Sequence, residues 1–334
     1  MFTAVAIGQL IEQGKVQLDE PVGRIVSGLT PEASKVTIRQ LLTHTSGLGD
    51  FFRPENMAAM LKARSASDIL PLISSDKPAF VPGTRFFYSN SGFALLGIVI
   101  ERLSGMTYGE YLKRHVFAPA QMTHTGVDPQ PLTTLAVGMT AGGMAMPAQP
   151  DTHLVLIGPD GKPLPAGAQP PSGGNGLRLI GPGGRSVNAE GADEIDALRP
   201  APGATEGYGS PAGGLFSTAE DMDRFGAALM HGTLVRPSTL TEFTSARVES
   251  APATTDRAAR HYGFGFGITE DGQLGWFGHN GGTLGANAEF WIQPDHQWVV
   301  SVLSNRDPPT ATKVAGWTRS TLADAKKLTN CNGS

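Results

Sequence analysis

Cysteine is almost missing from this chain: there is one, Cys331, close to the C-terminal end. A single thiol excludes an intramolecular disulfide, a cysteine-rich zinc site and a paired-thiol redox centre. Charge is also scarce. Asp, Glu, Lys and Arg make up 17% of the 334 residues, against roughly 25% in an average soluble domain. The 26 basic and 30 acidic residues leave a formal charge of −4 with no long basic run. That balance offers no footprint for nucleic acid or for an anionic membrane surface. No apolar run reaches the ~18 residues that a membrane-crossing helix needs. Met1 leads straight into Phe-Thr-Ala-Val-Ala-Ile, with no basic region before it and no small-residue cleavage site, so no secretory leader is expected here. Three catalytic signatures are absent as well: a Gly-x-Ser-x-Gly elbow, a His-Glu-x-x-His zinc helix and a phosphate-cradling Gly-Lys-Ser/Thr loop.

Apolar residues make up 40% of the chain, which excludes a disordered polymer and fits one large domain or two smaller ones. The 43 glycines and 25 prolines demand many loops. Phe2, Val5, Ala6, Leu10 and Ile11 form an apolar stripe stopped by Gly14, so a buried helix is expected over 2–13. It begins without a cap. Thr37 should cap a helix through Leu42, and an almost wholly apolar helix should run over 91–103 to a stop at Gly105. Thr107-Tyr-Gly-Glu110 and Ser217-Thr-Ala-Glu220 read as capping boxes that open two further helices. Residues 138–210 are rich in Gly and Pro and read as an inserted loop region, with short hairpins at 153–157 and 177–180. Short β-type runs at 263–268, 274–277, 288–292 and 298–304 suggest an antiparallel sheet, and a helix over about 310–328 closes the chain. Helices first and strands later argue for α+β. The sheet part is expected to comprise 1–30 and 255–334, and the helix-rich part 31–254.

Two constellations carry possible chemistry. In Tyr88-Ser89-Asn90, a phenol just ahead of a helix start can be favoured as phenolate by the amide ends there. The bland alternative is ordinary packing for Tyr88, with Asn90 or Ser91 as a helix cap. In Gly278-His-Asn-Gly-Gly-Thr-Leu-Gly285, glycines allow close approach to backbone N–H groups, and His279 can exchange protons near neutral pH. Here the bland alternative is a hairpin turn with a surface histidine.

Together with Val36-Thr-Ile-Arg-Gln-Leu-Leu-Thr-His-Thr-Ser-Gly-Leu48 and Ser210-Pro-Ala-Gly-Gly-Leu-Phe-Ser-Thr-Ala-Glu-Asp221, these segments occur in an order that closely resembles the serine β-lactamase-related family. That family spans class C β-lactamases, D-Ala-D-Ala peptidases, D-aminopeptidases and β-lactamase-like esterases. The resemblance runs from residue 1 to about 305. It implies an α+β fold of the β-lactamase/transpeptidase type, an antiparallel sheet flanked by terminal helices beside a helix-rich domain. It also implies a serine hydrolase that works through an acyl-enzyme. In this likeness Tyr88 is the general base and later proton donor, Asn90 contacts substrate, and His279 takes the place of a lysine in the third motif. Gly281 and Gly282 line the substrate, with the Gly282 N–H in the oxyanion hole. A small ester, amide or D-amino-acid peptide is the expected substrate, with no metal or organic cofactor. Members are often exported in bacteria, and the low cysteine count permits the periplasm.

One family element is not here. The family's Ser-x-x-Lys precedes a run like Met1-Phe-Thr-Ala, so the chain is expected to start just after the catalytic lysine, with leading strands of the sheet missing. The single Ser-x-x-Lys present, Ser74-Ser-Asp-Lys77, is followed by Pro78 and reads as a solvated loop. A clipped sequence is the expected explanation. The alternative is a nucleophile-less module that binds cell-wall peptides or related ligands.

Overall fold

α1 (Phe2–Glu12) lies in the middle of the computed structural model, with Ala4, Ala6, Ile7 and Leu10 fully buried. The structure describes residues 1–128, 136, 138–140, 155–157, 178–180, 186–187, 199–201, 209–253, 259–271 and 274–331. Thr3 is a polar exception on the buried face of α1. Its hydroxyl bonds to the Tyr108 hydroxyl at 2.8 Å and donates to the Pro211 carbonyl at 2.6 Å, so the polar group enters the core already satisfied.

α2 (Ile38–Leu42) starts at a complete capping box, with Thr37 and Gln40 exchanging side-chain and backbone bonds. α3 (Asn90–Ser104) is buried over 91–100 and ends on Gly105, whose φ of 71° only glycine adopts without strain. Its cap is neither Asn90 nor Ser91. Ser89 stays extended, its Oγ accepts from the Gly92 N–H at 3.0 Å, and it donates to the Gly49 carbonyl at 2.8 Å. α4 (Tyr108–Leu112) has the Thr107–Glu110 box that its sequence announces. α5 (Ala219–Met230) is capped one residue later than the sequence suggests. Thr218 accepts from the Asp221 N–H, while Ser217 bonds to Thr125 and Glu220 pairs with Arg224. A further short helix, α6, spans Pro237–Phe243.

Six antiparallel strands follow: β1 (Val248–Ala251), β2 (Arg260–Tyr262), β3 (Gly267–Asp271), β4 (Leu274–Thr283), β5 (Ala286–Gln293) and β6 (Trp298–Ser304). They lie side by side in chain order, and α7 (Thr310–Cys331) packs on β5 and β6. The expected run at 263–268 is broken. Gly265 has φ 77°, and a Cβ there would stand 2.4 Å from the Ala4 Cβ, so the chain bends at Gly265 to let α1 pass. The polar stretch after Gly278 is no turn. It continues β4 to Thr283, and the hairpin closes on Leu284 and Gly285.

One sheet face shares a core with the helices. Phe277, Phe290 and Ile292 of the sheet, with Phe264 and Phe266 from the β2–β3 link, join Val5, Leu41, Leu96 and Phe225, and each fully buried side chain of this size contributes about 1.5–3 kcal/mol. On the other face Leu274, Trp276 and Val300 pack under Ala315 and Ala323 of α7. Of the 138–210 insertion, the described part is small. Val155–Ile157, Arg178–Ile180 and Ser186–Val187 form one antiparallel sheet, and Met139–Thr140 pairs with Arg199–Pro200. The Gly/Pro stretches at 158–165 and 170–176 lie outside the described residues.

β6 has β5 on one side and no strand on the other among the described residues. Leu303 and, on the neighbouring helix, Trp317 are exposed, Trp317 by 72%. An open apolar edge recruits other strands. The 334-residue polypeptide is therefore expected to self-associate when expressed alone. Light scattering is the check, and a clean monomer that melts cooperatively would count against it.

Candidate active site

The start of α3 and the C-terminal half of β4 come together at one place. Tyr88, the residue before the α3 cap, and His279 of β4 have ring centroids 6.1 Å apart. On the far side of Tyr88 and Tyr262 from solvent sits His44, a buried residue which the sequence reading did not single out. It follows α2 with φ 54°, a left-handed conformation that costs a non-glycine residue about 1 kcal/mol or more. Its carbonyl accepts from the Phe87 N–H at 2.8 Å, and its ring is clamped between Tyr88 at 4.1 Å and Phe93 at 4.8 Å. Nδ1 accepts from the Ser89 N–H at 3.1 Å, and Nε2 lies 3.2 Å from the Tyr262 hydroxyl. That hydroxyl reaches His279 Nε2 at 2.8 Å. Tyr262, from β2, is the second group that sequence reasoning missed.

Burial sets the protonation states. It pushes His44 well below the usual imidazole range, with the charges of His279 and the Met1 amino group adding to it. His279 is lowered to about 4, by burial first and then by Met1. The Met1 amino group, itself lowered to about 5 by burial, acts on both imidazoles, so the first turn of α1 reaches the site. Tyr88 is pushed up to about 12 by burial and by the Asp50 carboxylate. Solvent over its 42% exposed surface moderates that push. The phenolate expected from the helix terminus is therefore not what this environment favours. Ser89 takes up the N–H of Gly92, and the nearest charge is negative.

Asn90 lies two residues on, but its Nδ2 turns to Asp50 Oδ2 at 2.6 Å. Asp50 is held in turn by the Phe52 N–H at 2.8 Å. β3 begins at Gly267, opposite Gly278, so residues 279–283 of β4 have β5 on one side and, among the described residues, no strand on the other. The glycines of this stretch have different reasons. A Cβ at Gly278 would stand 2.0 Å from the Phe290 carbonyl oxygen, and one at Gly282 would stand 2.4 Å from Pro308 Cγ. At Gly281 nothing lies within 4 Å. Gly278→Ala should thus destabilise the fold by about 1–3 kcal/mol, because backbone cannot yield as a side chain does. A urea midpoint equal to wild type would refute this, and Gly281→Ala serves as the permissive control.

Ser74 lies at the end of the helical turn Leu70–Ile73, its hydroxyl turned to the Pro71 carbonyl, and Lys77 is exposed in the loop beyond. The two are not held one helical turn apart in a core. Among the described residues no three His, Cys, Asp or Glu side chains gather to hold a metal ion, and no helix is long and apolar enough to cross a membrane.

An antiparallel sheet with a terminal helix on one face and a helical layer on the other is the α+β fold of β-lactamases and penicillin-binding proteins. The chain belongs to the beta-lactamase family, whose family model matches residues 1–325. A penicillin-binding protein from Bacillus halodurans superposes with a TM-score of 0.62 at 27% identity, covering 98% of this chain and 82% of that one. D-amino acid amidase from Ochrobactrum anthropi SV3, complexed with L-phenylalanine, shares the fold with a TM-score of 0.67 at 21% identity, again over 98% of this chain and 82% of that one. Penicillin-binding protein 4* of Bacillus subtilis (strain 168) is 32% identical over 160 residues, which is 46% of this chain and 34% of that protein. The match thus spans about a third of that curated relative's length.

Proposed function

We propose that this protein is a serine acyl-transfer hydrolase that acts on a small ester, amide or D-amino-acid peptide through an acyl-enzyme. The observation that carries the reading is the approach of Tyr88 and His279 to 6.1 Å, beside the first turn of α1. A serine hydroxyl attacking a carbonyl must shed a proton, and the leaving group must receive one. Tyr88 is the relay. Its phenol is neutral at pH 7 in this setting, so its base role needs a nearby cation, which the lysine of Ser-x-x-Lys supplies. Asn90 offers its amide to substrate, and the backbone at Gly281 and Gly282 borders it, with the Gly282 N–H as an oxyanion donor. A neutral His279 grips a carboxylate poorly. This favours an esterase, amidase or peptidase over a dedicated β-lactamase.

The serine and lysine belong on a helical turn ahead of α1, and residues 1–334 by themselves are expected to have no acyl-transfer activity. A p-nitrophenyl ester should give no burst with this polypeptide, and a burst with one extended through in-frame upstream codons for Ser-x-x-Lys. A burst from residues 1–334 that Ser74→Ala abolishes would overturn the assignment. An upstream frame without the motif would favour the nucleophile-less binding module.

A further inference from the structure

The hydrogen bonds at this site form a chain whose protons can be placed from its ends. A backbone N–H only donates, and a backbone carbonyl only accepts. Ser89 N–H points at His44 Nδ1, so that nitrogen carries a lone pair. A neutral His44 then keeps its proton on Nε2, which donates to the Tyr262 hydroxyl at 3.2 Å. The hydroxyl has one proton of its own, and it goes to His279 Nε2 at 2.8 Å. His279 is left with its proton on Nδ1, facing the Asn280 carbonyl oxygen at 2.5 Å, an acceptor. One arrangement of protons satisfies all four contacts, and every bond in it runs in the same direction, from the helix start to the strand edge.

We propose that His44 and Tyr262 are positioning residues that lock His279 as its Nδ1–H tautomer, with both ring nitrogens engaged, so that the His279 ring has no N–H to offer and accepts substrates that are uncharged where they meet it. The substrate-class half of the inference rests on the hydrolase reading and deepens it; the tautomer half does not. His44 suits the task. It is 1% exposed, wedged between Tyr88 and Phe93, and held in a left-handed backbone conformation, so its ring cannot turn to present the other nitrogen. The groups that face the pair are Tyr88 from the start of α3, Tyr262 from β2 and the Met1 amino group at the start of α1; Asp50 acts on Tyr88. None of the side chains of this set that touch His279 is a lysine or arginine. The consequence is a polarity rule. An ester or amide carbonyl can lie against the β4 edge without desolvating a charge, whereas a carboxylate there would have to be buried with no N–H from His279 to meet it.

Long-range proton–nitrogen correlation spectra of the protein labelled with 15N-histidine test this directly, with His44→Gln and His279→Gln used to assign the signals. At pH 7.5 the expected pattern is a neutral His279 protonated on Nδ1 and a neutral His44 protonated on Nε2. Tyr262→Phe should shift His279 to a pattern averaged between its two tautomers while His44 stays neutral. Addition of sodium acetate to about 200 mM, a free carboxylate as probe, should leave His279 singly protonated. A His279 that is protonated on Nε2 in the wild type, is doubly protonated at pH 7.5 or on adding acetate, or is unchanged by Tyr262→Phe would overturn the proposal. If Tyr262→Phe does not fold, the wild-type spectrum alone decides. Absence of ester turnover in the extended protein would sink the hydrolase reading and leave these spectra as they are, so the two fail separately.

Discussion

Tyr88→Phe is expected to lower kcat for a chromogenic ester by roughly 100- to 10,000-fold in a form of the protein that carries Ser-x-x-Lys ahead of α1. The change removes one oxygen and keeps the ring, which remains packed against His44 at 4.1 Å. Stability should therefore stay close to wild type. The loss corresponds to about 3–5 kcal/mol of barrier, the usual size of a proton relay that acts in the transition state. KM should change little, since Tyr88 moves a proton rather than holding the substrate. A kcat within about tenfold of wild type would remove Tyr88 from the mechanism.

The second large effect is on stability in mild acid. In the unfolded chain an imidazole takes up a proton below about pH 6.5; folded His279 does so only near 4. The unfolded state thus binds more protons between those values, and stability present above pH 6.5 is lost as pH falls. The share of His279 approaches about 3 kcal/mol at pH 4. His44, also depressed by burial, acts with the same sign. Carboxylates held low, such as Asp221 among the His124 N–H, Thr125 and Arg224, add their loss only at still lower pH. Urea midpoints at pH 7.5 and 4.5 are the measurement. They should fall steeply in the wild type and less in His279→Gln, and a flat profile would show that neither imidazole is held neutral by the fold.

Local signals carried far along this chain because they are local in physics. The stripe at Phe2, Val5 and Leu10, the Thr37 and Thr107 boxes and the Gly105 stop each depend on residues within a turn or two, and the structure contains all of them. Caps proved ambiguous where two candidates stand side by side. Ser89 prevails over Asn90, and Thr218 over Ser217, because a distant group, Gly49 or Thr125, holds a competing side chain or the cap itself. The glycines after Phe277 read as a turn because glycine usually breaks strands; here Gly278 and Gly282 are small because Phe290 and Pro308 press on them.

From the order of its motifs alone, this sequence determined an α+β chain of the β-lactamase-related kind and named Tyr88, Asn90 and His279 as the residues to examine. Only the tertiary structure decided what those groups face. His44 and Tyr262 are 218 residues apart in the chain and 3.2 Å apart in space. No periodicity or spacing encodes that contact, because it arises where the turn after α2 meets β2, and the burial there strips the His44 and His279 imidazoles of their charge.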